Sequence, residues 1–596
     1  MVNNVKQGIL VVTANYRKAY PILKSVSKMG LKTIALFHTW RSPVFSKYVS
    51  KRYFVANPYS DEKKYIAELI SIVNKEEPLM IIPVGYIDTI LISKYKKLLP
   101  RNVIIPVPNY ETLIKVSRKD LIIKLCDRLG IRYPQTYVVP EISMPAVVKS
   151  IYDSSKPKYV FLRETLNEIV STKKCDVLIQ EFIPGIGCGY FALAKDGNVI
   201  VDYTHVRIIE KKPSGGPSIF SCLDFNPELL LLGRKIVKEL KWTGVIMVEF
   251  RRDLETGEYY LLEVNPKFWG SLELATSLGI DVPRYLVEVF LFNKKPKPLV
   301  RMRRKRCFAW MLSGLYYLKQ NPKVWLKMLK EGLSTGFLQT DVHLNDPPEL
   351  LYSILTMFTS VFTRKHPALK INIKGIYRSS LMYLRKTLQE KNIECIVFDL
   401  DGTLTKLNIP WSEVKNKLVS KRLIKPWNSI MMSLYKSKSK GKNVYHEVNQ
   451  IVKAYEEKSV EKIRGDNELY FLLKELSLMI NYLAVVSKQE KHIVENILSK
   501  MGILDRFSVI VGRETEILRL KQLKEVVKRL KISPEKTLML GDTIVDISSA
   551  VRLNMIPIGV TDNPYRFQQF IEYGIPCFKN VKEALRYIIL QKRYYS

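Results

Sequence analysis

Short apolar runs of strand length, each closed by a turn residue, recur towards both ends of this chain. Residues 8–14 (Gly-Ile-Leu-Val-Val-Thr-Ala) predict a buried strand running into a turn, then a helix to Met29-Gly30 and a second strand at Lys32–Phe37. Apolar runs near 80–84 and 103–106 continue the alternation to about residue 107. Strand–helix–strand order of this kind predicts an α/β domain. No Gly-x-Gly-x-x-Gly is present, so a Rossmann dinucleotide site is not indicated. Further on, residues 396–398, 483–486 and 538–540 are apolar throughout, the pattern of strands covered on both faces. Residues 248–250 and 261–264 flank an Arg-Asp…Glu-Thr-Gly turn and predict an antiparallel hairpin.

Polar residues sit at the tips of these strands. Asp399 ends one, and Asp401 follows as the chain turns out through Gly402. Side chains two apart in an extended backbone point the same way, so both carboxylates face one pocket at the carboxyl end of a sheet. Their repulsion requires a cation or a shared proton. An Asp-Gly turn alone is only a common hairpin signal. In order after it come Ser487 at a strand tip, Lys521 opening an amphipathic stretch (Leu523, Val526, Val527, Leu530), and Gly541-Asp542 with Asp546 four residues on.

That ordered set, within residues 393–596, resembles the haloacid dehalogenase superfamily of phosphotransferases. The resemblance implies a Rossmann-like domain in which Asp399 attacks phosphorus to form an aspartyl-phosphate, and Asp401 protonates the leaving oxygen and then activates water. Ser487 and Lys521 would hold the phosphoryl oxygens, with Lys524 one helical turn away as the substitute lysine. Asp542, Asp399 and the backbone carbonyl of Asp401 would coordinate Mg²⁺ (or Mn²⁺), with Asp546 buttressing the metal site. Ser487 would also serve as a helix N-cap. A mostly helical insert at about 406–480, with Trp411 and Trp427, matches the cap of the phosphoglycolate phosphatase-like branch. It is basic, through Lys421, Arg422, Lys425, Lys436, Lys438, Lys440 and Lys442. A solvated face is the plainer meaning of that run, and attraction for a multiply charged substrate the sharper one.

The front half carries a second series: Ser117-Arg118-Lys119-Asp120, Pro145 to Lys149, Ile179-Gln180-Glu181-Phe182-Ile183-Pro184-Gly185, Ser214 to Ser218, Trp242 to Phe250, and Leu261 to Pro266. The series resembles the ATP-grasp superfamily, in particular one half of the carbamoyl-phosphate synthase large subunit, over about residues 1–297. Antiparallel pairing places Glu249 opposite Glu263, with Asn265 on the same face, a hard-oxygen site for Mg²⁺ (or Mn²⁺) bridging ATP phosphates. By resemblance, Lys119 and Lys149 contact the phosphates, and Glu181, Phe182 and Ile183 form the hinge that reads the adenine edge. A lysine on an apolar strand also reads plainly as a snorkelling surface charge.

The departures are specific. The stretch after Lys149 (Ser150-Ile-Tyr-Asp-Ser-Ser-Lys-Pro) lacks the glycines whose amides approach phosphate closely. Gly187-Cys188-Gly189 stands where an acidic residue often holds ribose, and Lys267 replaces the arginine common after Asn-Pro. Arg207 and Gly215-Gly216 are then the best candidates for contacts to an acyl-phosphate or substrate. The family chemistry is phosphorylation of a carboxylate by ATP, followed by displacement of phosphate by an amine or similar nucleophile.

The fold class expected is α/β multidomain: a pre-ATP-grasp α/β domain (1–107), an α+β ATP-grasp ATP-binding domain (108–297), a basic, mostly helical connector (298–392), and a phosphatase-like domain with helical cap (393–596). With 596 residues and 47% apolar content, several packed cores are within reach. Seven scattered cysteines without a Cys-x-x-Cys pair argue against zinc and a disulfide framework, and for a reducing cytoplasm. The start lacks a signal-peptide core. The connector opens on the basic run 301–306, and its apolar runs 308–318 and 350–362 are too short to span a bilayer. They are expected to pack on the ATP-grasp body rather than lie peripherally on an anionic membrane. The formal charge of +38 favours anionic substrates or surfaces, and no nucleic-acid-reading signature accompanies it. Three readings follow. The first is a bifunctional ligase and phosphatase acting on an unidentified carboxylate and phosphate ester. The second is a phosphatase with a degenerate ATP-binding module, and the third a phosphatase recruited by its basic surface.

Overall fold

The computed structural model describes residues 8–593 except 41–42, 139–140, 153–156, 173–176, 213–214, 297–306, 313, 316–321, 323–324, 327–328, 331–337, 363–371 and 441. The basic run 301–306, residues 313 and 316–318 of the run 308–318, and the core of the loop after Lys149 therefore lie outside the described residues, as do the side chains of Lys440 and Lys442.

The first sheet is parallel, in the order Lys51–Phe54, Lys32–Phe37, Gly8–Val12, Met80–Pro83. The apolar run 103–106 adds a single bridge, Met80 to Ile104, rather than a strand. Next comes a small four-stranded antiparallel sheet, Thr136–Tyr137, Val177–Glu181, Ala146–Ser150, Lys158–Val160. A seven-stranded sheet follows, in the order Tyr259–Asn265, Gly244–Asp253, Gly185–Lys195, Asn198–Glu210, Ser218–Leu223, Cys307–Ala309, Leu338–Thr340. Its last two strands come from the connector, which is therefore not wholly helical. A disulfide joins Cys222 to Cys307 across this join, against the expectation that the cysteines stay unpaired. Asp346 of the connector accepts from Ser46 Oγ at 2.6 Å and from the Lys47 N–H at 3.1 Å, docking helix Pro347–Phe362 onto the first domain. Among the described residues no helix is long and apolar enough to cross a membrane.

The last sheet is six-stranded and parallel: Val509–Val511, Tyr482–Val486, Cys395–Asp399, Thr537–Gly541, Ile556–Val560, Cys577–Phe578. The chain begins at the central strand Cys395–Asp399, fills one side and then returns to fill the other, so Asp399 sits at the point where strand order reverses. Register puts Asp399 beside Val486 and Phe398 beside Leu540, which aligns Asp399, Ser487 and Asp542 along one edge. Helices Trp411–Ser420, Ile430–Lys440 and Lys442–Val460 form the cap.

One apolar core spans the two halves. Ala146, Val148, Ile179 and Phe182 of the small sheet pack with Ile547, Val551, Phe570 and Tyr573 of the C-terminal domain. Arg552 seals this seam, donating to Glu181 Oε1 and to the Phe182 carbonyl, each at 2.8 Å.

Candidate functional site

In the C-terminal half, Asp399, Asp542 and Asp546 converge, with carboxylate oxygens all within 4.8 Å of one another. Gly402, at φ 97°, turns the chain so closely past Asp542 that a Cβ would sit 2.7 Å from its carboxylate. Asp401 is held beside this cluster by the Leu407 N–H, which donates to its Oδ1 at 2.9 Å. Asp546 sits in the first turn of helix Ile544–Arg552 and closes a capping box with Thr543. Burial, opposed by Arg519 and reinforced by neighbouring carboxylates, holds Asp399 well above the usual carboxylate range. Burial likewise lifts Asp542 to about 7, with Arg566 opposing, and raises Asp401. Crowded, partly protonated carboxylates are a donor set suited to a hard divalent cation, so these residues fit Mg²⁺ or Mn²⁺.

The lysine expected here is elsewhere. Lys521 is exposed and faces Glu516 at 3.5 Å. Arg519 lies in the site instead, with Nη2 2.5 Å from Asp399 Oδ1 and Nε 2.7 Å from Asp546 Oδ1. The reason is helical phase. In helix Arg519–Leu530 the buried positions are 519, 522, 523 and 526, and residue 521 falls off that stripe. That spacing was the available signal for Arg519. Ser487 is buried at its strand tip and donates to Gln489 rather than capping a helix, since Glu490 takes the N-cap position of Lys491–Lys500. Two further cations had no sequence signature: Arg566, on Asp542 at 2.5 Å, and Lys488, which pairs with Glu255. In the cap, Lys415 reaches the pocket, whereas Lys421, Arg422 and Lys425 are exposed.

In the front half a cavity of about 770 Å³ is lined by Lys119, Lys149, Glu181, Phe182, Ile183, Arg207, Gly215, Gly216, Glu249, Glu263 and Lys267. Glu249 stands opposite Glu263 in the strand register, with a bulge immediately after it. Asn265 is buried and donates to Glu263 Oε1 at 2.6 Å. Burial lifts Glu249 to about 7, with Arg207 opposing and Glu263 reinforcing. Burial also pushes on Glu263, but Lys267 and Asn265 outweigh it and hold that carboxyl low. Two facing carboxyls that cannot both ionise freely again fit a divalent cation. Burial depresses Lys149 to about 8, with Glu263 opposing. Arg207 donates to Glu249 at 2.7 Å and to Glu210 at 3.3 Å. The first domain adds Arg17 and Lys18 to the wall, Lys18 being buried and donating to the Phe268 carbonyl at 2.5 Å.

A second cavity, of about 760 Å³, lies over Asp399, Asp542 and Asp546. It is lined from both halves: Trp411, Lys415 and Met431 of the cap, and Gly185, Ile186, Ile208, Leu254 and Glu255 of the front half. Gly187, Arg207, Glu210 and Arg251 line both cavities. Glu255, in the turn between the Glu249 and Glu263 strands, accepts from the Arg519 N–H at 2.9 Å and pairs with Lys488. Nothing local in the sequence marks this long-range wedge.

Comparison with known proteins agrees with the two architectures. The family described as haloacid dehalogenase-like hydrolase matches residues 396–560. The family described as ATP-grasp in the biosynthetic pathway with Ter operon matches residues 174–307. The chain thus carries an ATP-grasp domain followed by a haloacid dehalogenase-like hydrolase domain. A D-aspartate ligase of Enterococcus faecium (strain Aus0004) is 24% identical over 35% of this chain and 58% of its own length, so this chain spans less than two thirds of that relative. Similar solved structures include an L-amino acid ligase from Bacillus licheniformis, 18% identical, with TM-score 0.41 over 50% of this chain and 79% of that one. A biotin carboxylase from Campylobacter jejuni is 15% identical, with TM-score 0.40 over 50% and 74%.

Proposed function

We propose that this chain is a bifunctional enzyme. Its front half is an ATP-dependent carboxylate–amine (or related) ligase working through an acyl-phosphate. Its C-terminal half is a Mg²⁺-dependent phosphomonoester hydrolase working through an aspartyl-phosphate. The observation that carries the reading is the buried meeting of Asp399, Asp542 and Asp546 around the Arg519 guanidinium.

In the hydrolase, Asp399 attacks phosphorus while Arg519 and the Ser487 hydroxyl steady the phosphoryl oxygens. Asp401, its carboxyl raised by burial, donates a proton to the departing alkoxide and then takes one from the attacking water. Asp399, Asp542 and the Asp401 carbonyl would hold the metal, which neutralises charge on the phosphoryl group when bound. In the ligase, Glu249, Glu263 and Asn265 would hold a divalent metal, which would neutralise charge on the ATP phosphates, and Lys119 and Lys149 face the same cavity. Arg207, Lys267 and the Gly215-Gly216 turn line this cavity and would receive the carboxylate and its acyl-phosphate. The name of the D-aspartate ligase relative supports an amino-acid-like reactant.

Metal-dependent hydrolysis of p-nitrophenyl phosphate, abolished in Asp399→Asn, tests the hydrolase. ADP release that requires an added carboxylate and disappears in Glu263→Gln tests the ligase. ATP binding without such release favours a second reading, a regulatory ATP module, which the missing glycine loop after Lys149 motivates.

A further inference from the structure

We infer that the two cavities are one reaction compartment, in which a small molecule bearing both a carboxylate and a phosphomonoester is ligated at the Glu249–Glu263 site and then dephosphorylated at Asp399 without leaving the chain. The inference deepens the bifunctional reading and rests on it.

Three observations carry it. First, the cavities share a wall, made by Gly187, Arg207, Glu210 and Arg251. Second, that wall is fixed to the hydrolase on more than one side. Arg252 Nη1 donates to the Trp427 carbonyl of the cap at 2.9 Å, and the Glu210 N–H donates to Tyr565 Oη at 3.3 Å. Gly257 lies so tightly against Met432 of the cap that a Cβ would overlap its sulfur. Third, one hairpin serves both sites. Glu249 and Glu255 are six positions apart in sequence, which bounds their separation at about 20 Å.

The charge of the wall selects the traveller. Arg207 is held by Glu249 and Glu210 and Arg251 donates to the Ile183 carbonyl, and an anion with a phosphate group competes for both guanidinium groups in this poorly solvated place. The same charge sets the order. While its phosphate remains, the molecule is held beside this wall; once the phosphate is gone, that hold is lost. Ligation therefore precedes hydrolysis. The carboxylate takes the γ-phosphoryl group of ATP to give an acyl-phosphate and ADP. The amine displaces inorganic phosphate, forming the amide and losing a proton. Asp399 then attacks the ester phosphorus, the P–O bond to the alkoxide breaks, and Asp401 supplies that oxygen's proton. The free alcohol is then complete, and water activated by Asp401 finally cleaves the aspartyl-phosphate, releasing a second inorganic phosphate and restoring the Asp399 carboxylate.

The test uses full-length protein, ATP, Mg²⁺ and a small-molecule extract of the cells that express it, followed by mass spectrometry. Asp399→Asn is expected to accumulate an ATP-dependent product heavier than the wild-type product by one phosphoryl group (HPO₃). An equimolar mixture of full-length Asp399→Asn and Glu263→Gln, each supplying the step the other lacks, is expected to form the final product only after a lag in which the phosphorylated species builds up free in solution. Wild-type protein is expected to show no such lag. Identical products from wild type and Asp399→Asn, or equal time courses for wild type and the mixture, overturn the inference while leaving both activities standing. Absence of any ATP-dependent product from wild type, with p-nitrophenyl phosphate still hydrolysed, removes the ligase reading itself and the inference with it.

Discussion

The Arg519 N–H donates to Glu255 Oε1 across 2.9 Å, so a residue from the turn of the ATP-grasp hairpin fixes the start of the helix that clamps Asp399. Glu255 also pairs with Lys488, one residue beyond Ser487. The hydrolase site is thereby positioned from outside its own domain. Replacing Glu255 with Ala is expected to lower kcat for p-nitrophenyl phosphate about 10- to 100-fold, the usual cost of losing an orienting partner. Glu255→Gln, which keeps an acceptor for the N–H, is expected to recover part of that loss. A kcat unchanged in Glu255→Ala contradicts the positioning role.

Arg519 and Lys521 make opposite predictions. Arg519→Ala is expected to reduce hydrolysis about 10²- to 10³-fold, as loss of a preorganised charge in a buried site does. Lys521→Ala, on the exposed face of the same helix, is expected to stay within about twofold. The reverse ranking in a kinetic assay would return the clamp to the lysine.

Asp542 predicts a pH dependence. Its folded pKa of about 7, set by burial, lies above the ordinary value of a free carboxyl. The folded, metal-free protein therefore holds a proton that the unfolded chain releases. Stability from this group is present below the unfolded pKa and is lost as pH rises towards 7. Melting of metal-free protein should show this decline between about pH 4 and about pH 7, and Asp542→Asn should flatten it. Mg²⁺ competes with the same proton, so its half-saturating concentration should rise about tenfold per pH unit below 7. A pH-independent Mg²⁺ requirement would rule the protonated carboxyl out.

Lys149 predicts the other limb. Burial lowers its pKa to about 8, so the charged ammonium, to which the proposed function assigns the ATP phosphates, fades above that pH. ATP affinity of the free enzyme should fall above about pH 8, and Lys149→Ala should weaken binding about 10- to 100-fold while removing that limb, in line with a charged hydrogen bond of about 1.5–3 kcal/mol. Calorimetric titration with ATP at several pH values measures both effects.

Much of this was legible in the chain. The uninterrupted apolar runs ending in Asp399, Ser487 and Gly541-Asp542 told of parallel strands with polar tips, because burial on both faces leaves no other pattern. The turn length between Glu249 and Glu263 fixed their cross-strand register, a local property. Residue type points to Lys521, whereas helix phase, set by Leu523 and Val526, decides which cation faces inward and brings Arg519 there. Glu255, Arg566 and Arg552 could not be found this way. Their partners lie far off in the sequence, and such pairings leave no periodic trace. Residues 307–309 and 338–340 were likewise too short and isolated to announce themselves as strands that extend the front sheet.

The seam built by Phe182, Ile547, Phe570 and Tyr573, and bolted by Arg552 to Glu181, bears on how this molecule can be taken apart. Separating the two halves would strip solvent protection from an oily face on each, at about 1.5–3 kcal/mol per large side chain laid bare. Either fragment produced alone is expected to precipitate or to need its counterpart for solubility, as sedimentation of separately expressed and co-expressed pieces would reveal. What reads along the chain as two enzymes in tandem is, in space, joined by a common interior built from residues 142–182 and 544–577.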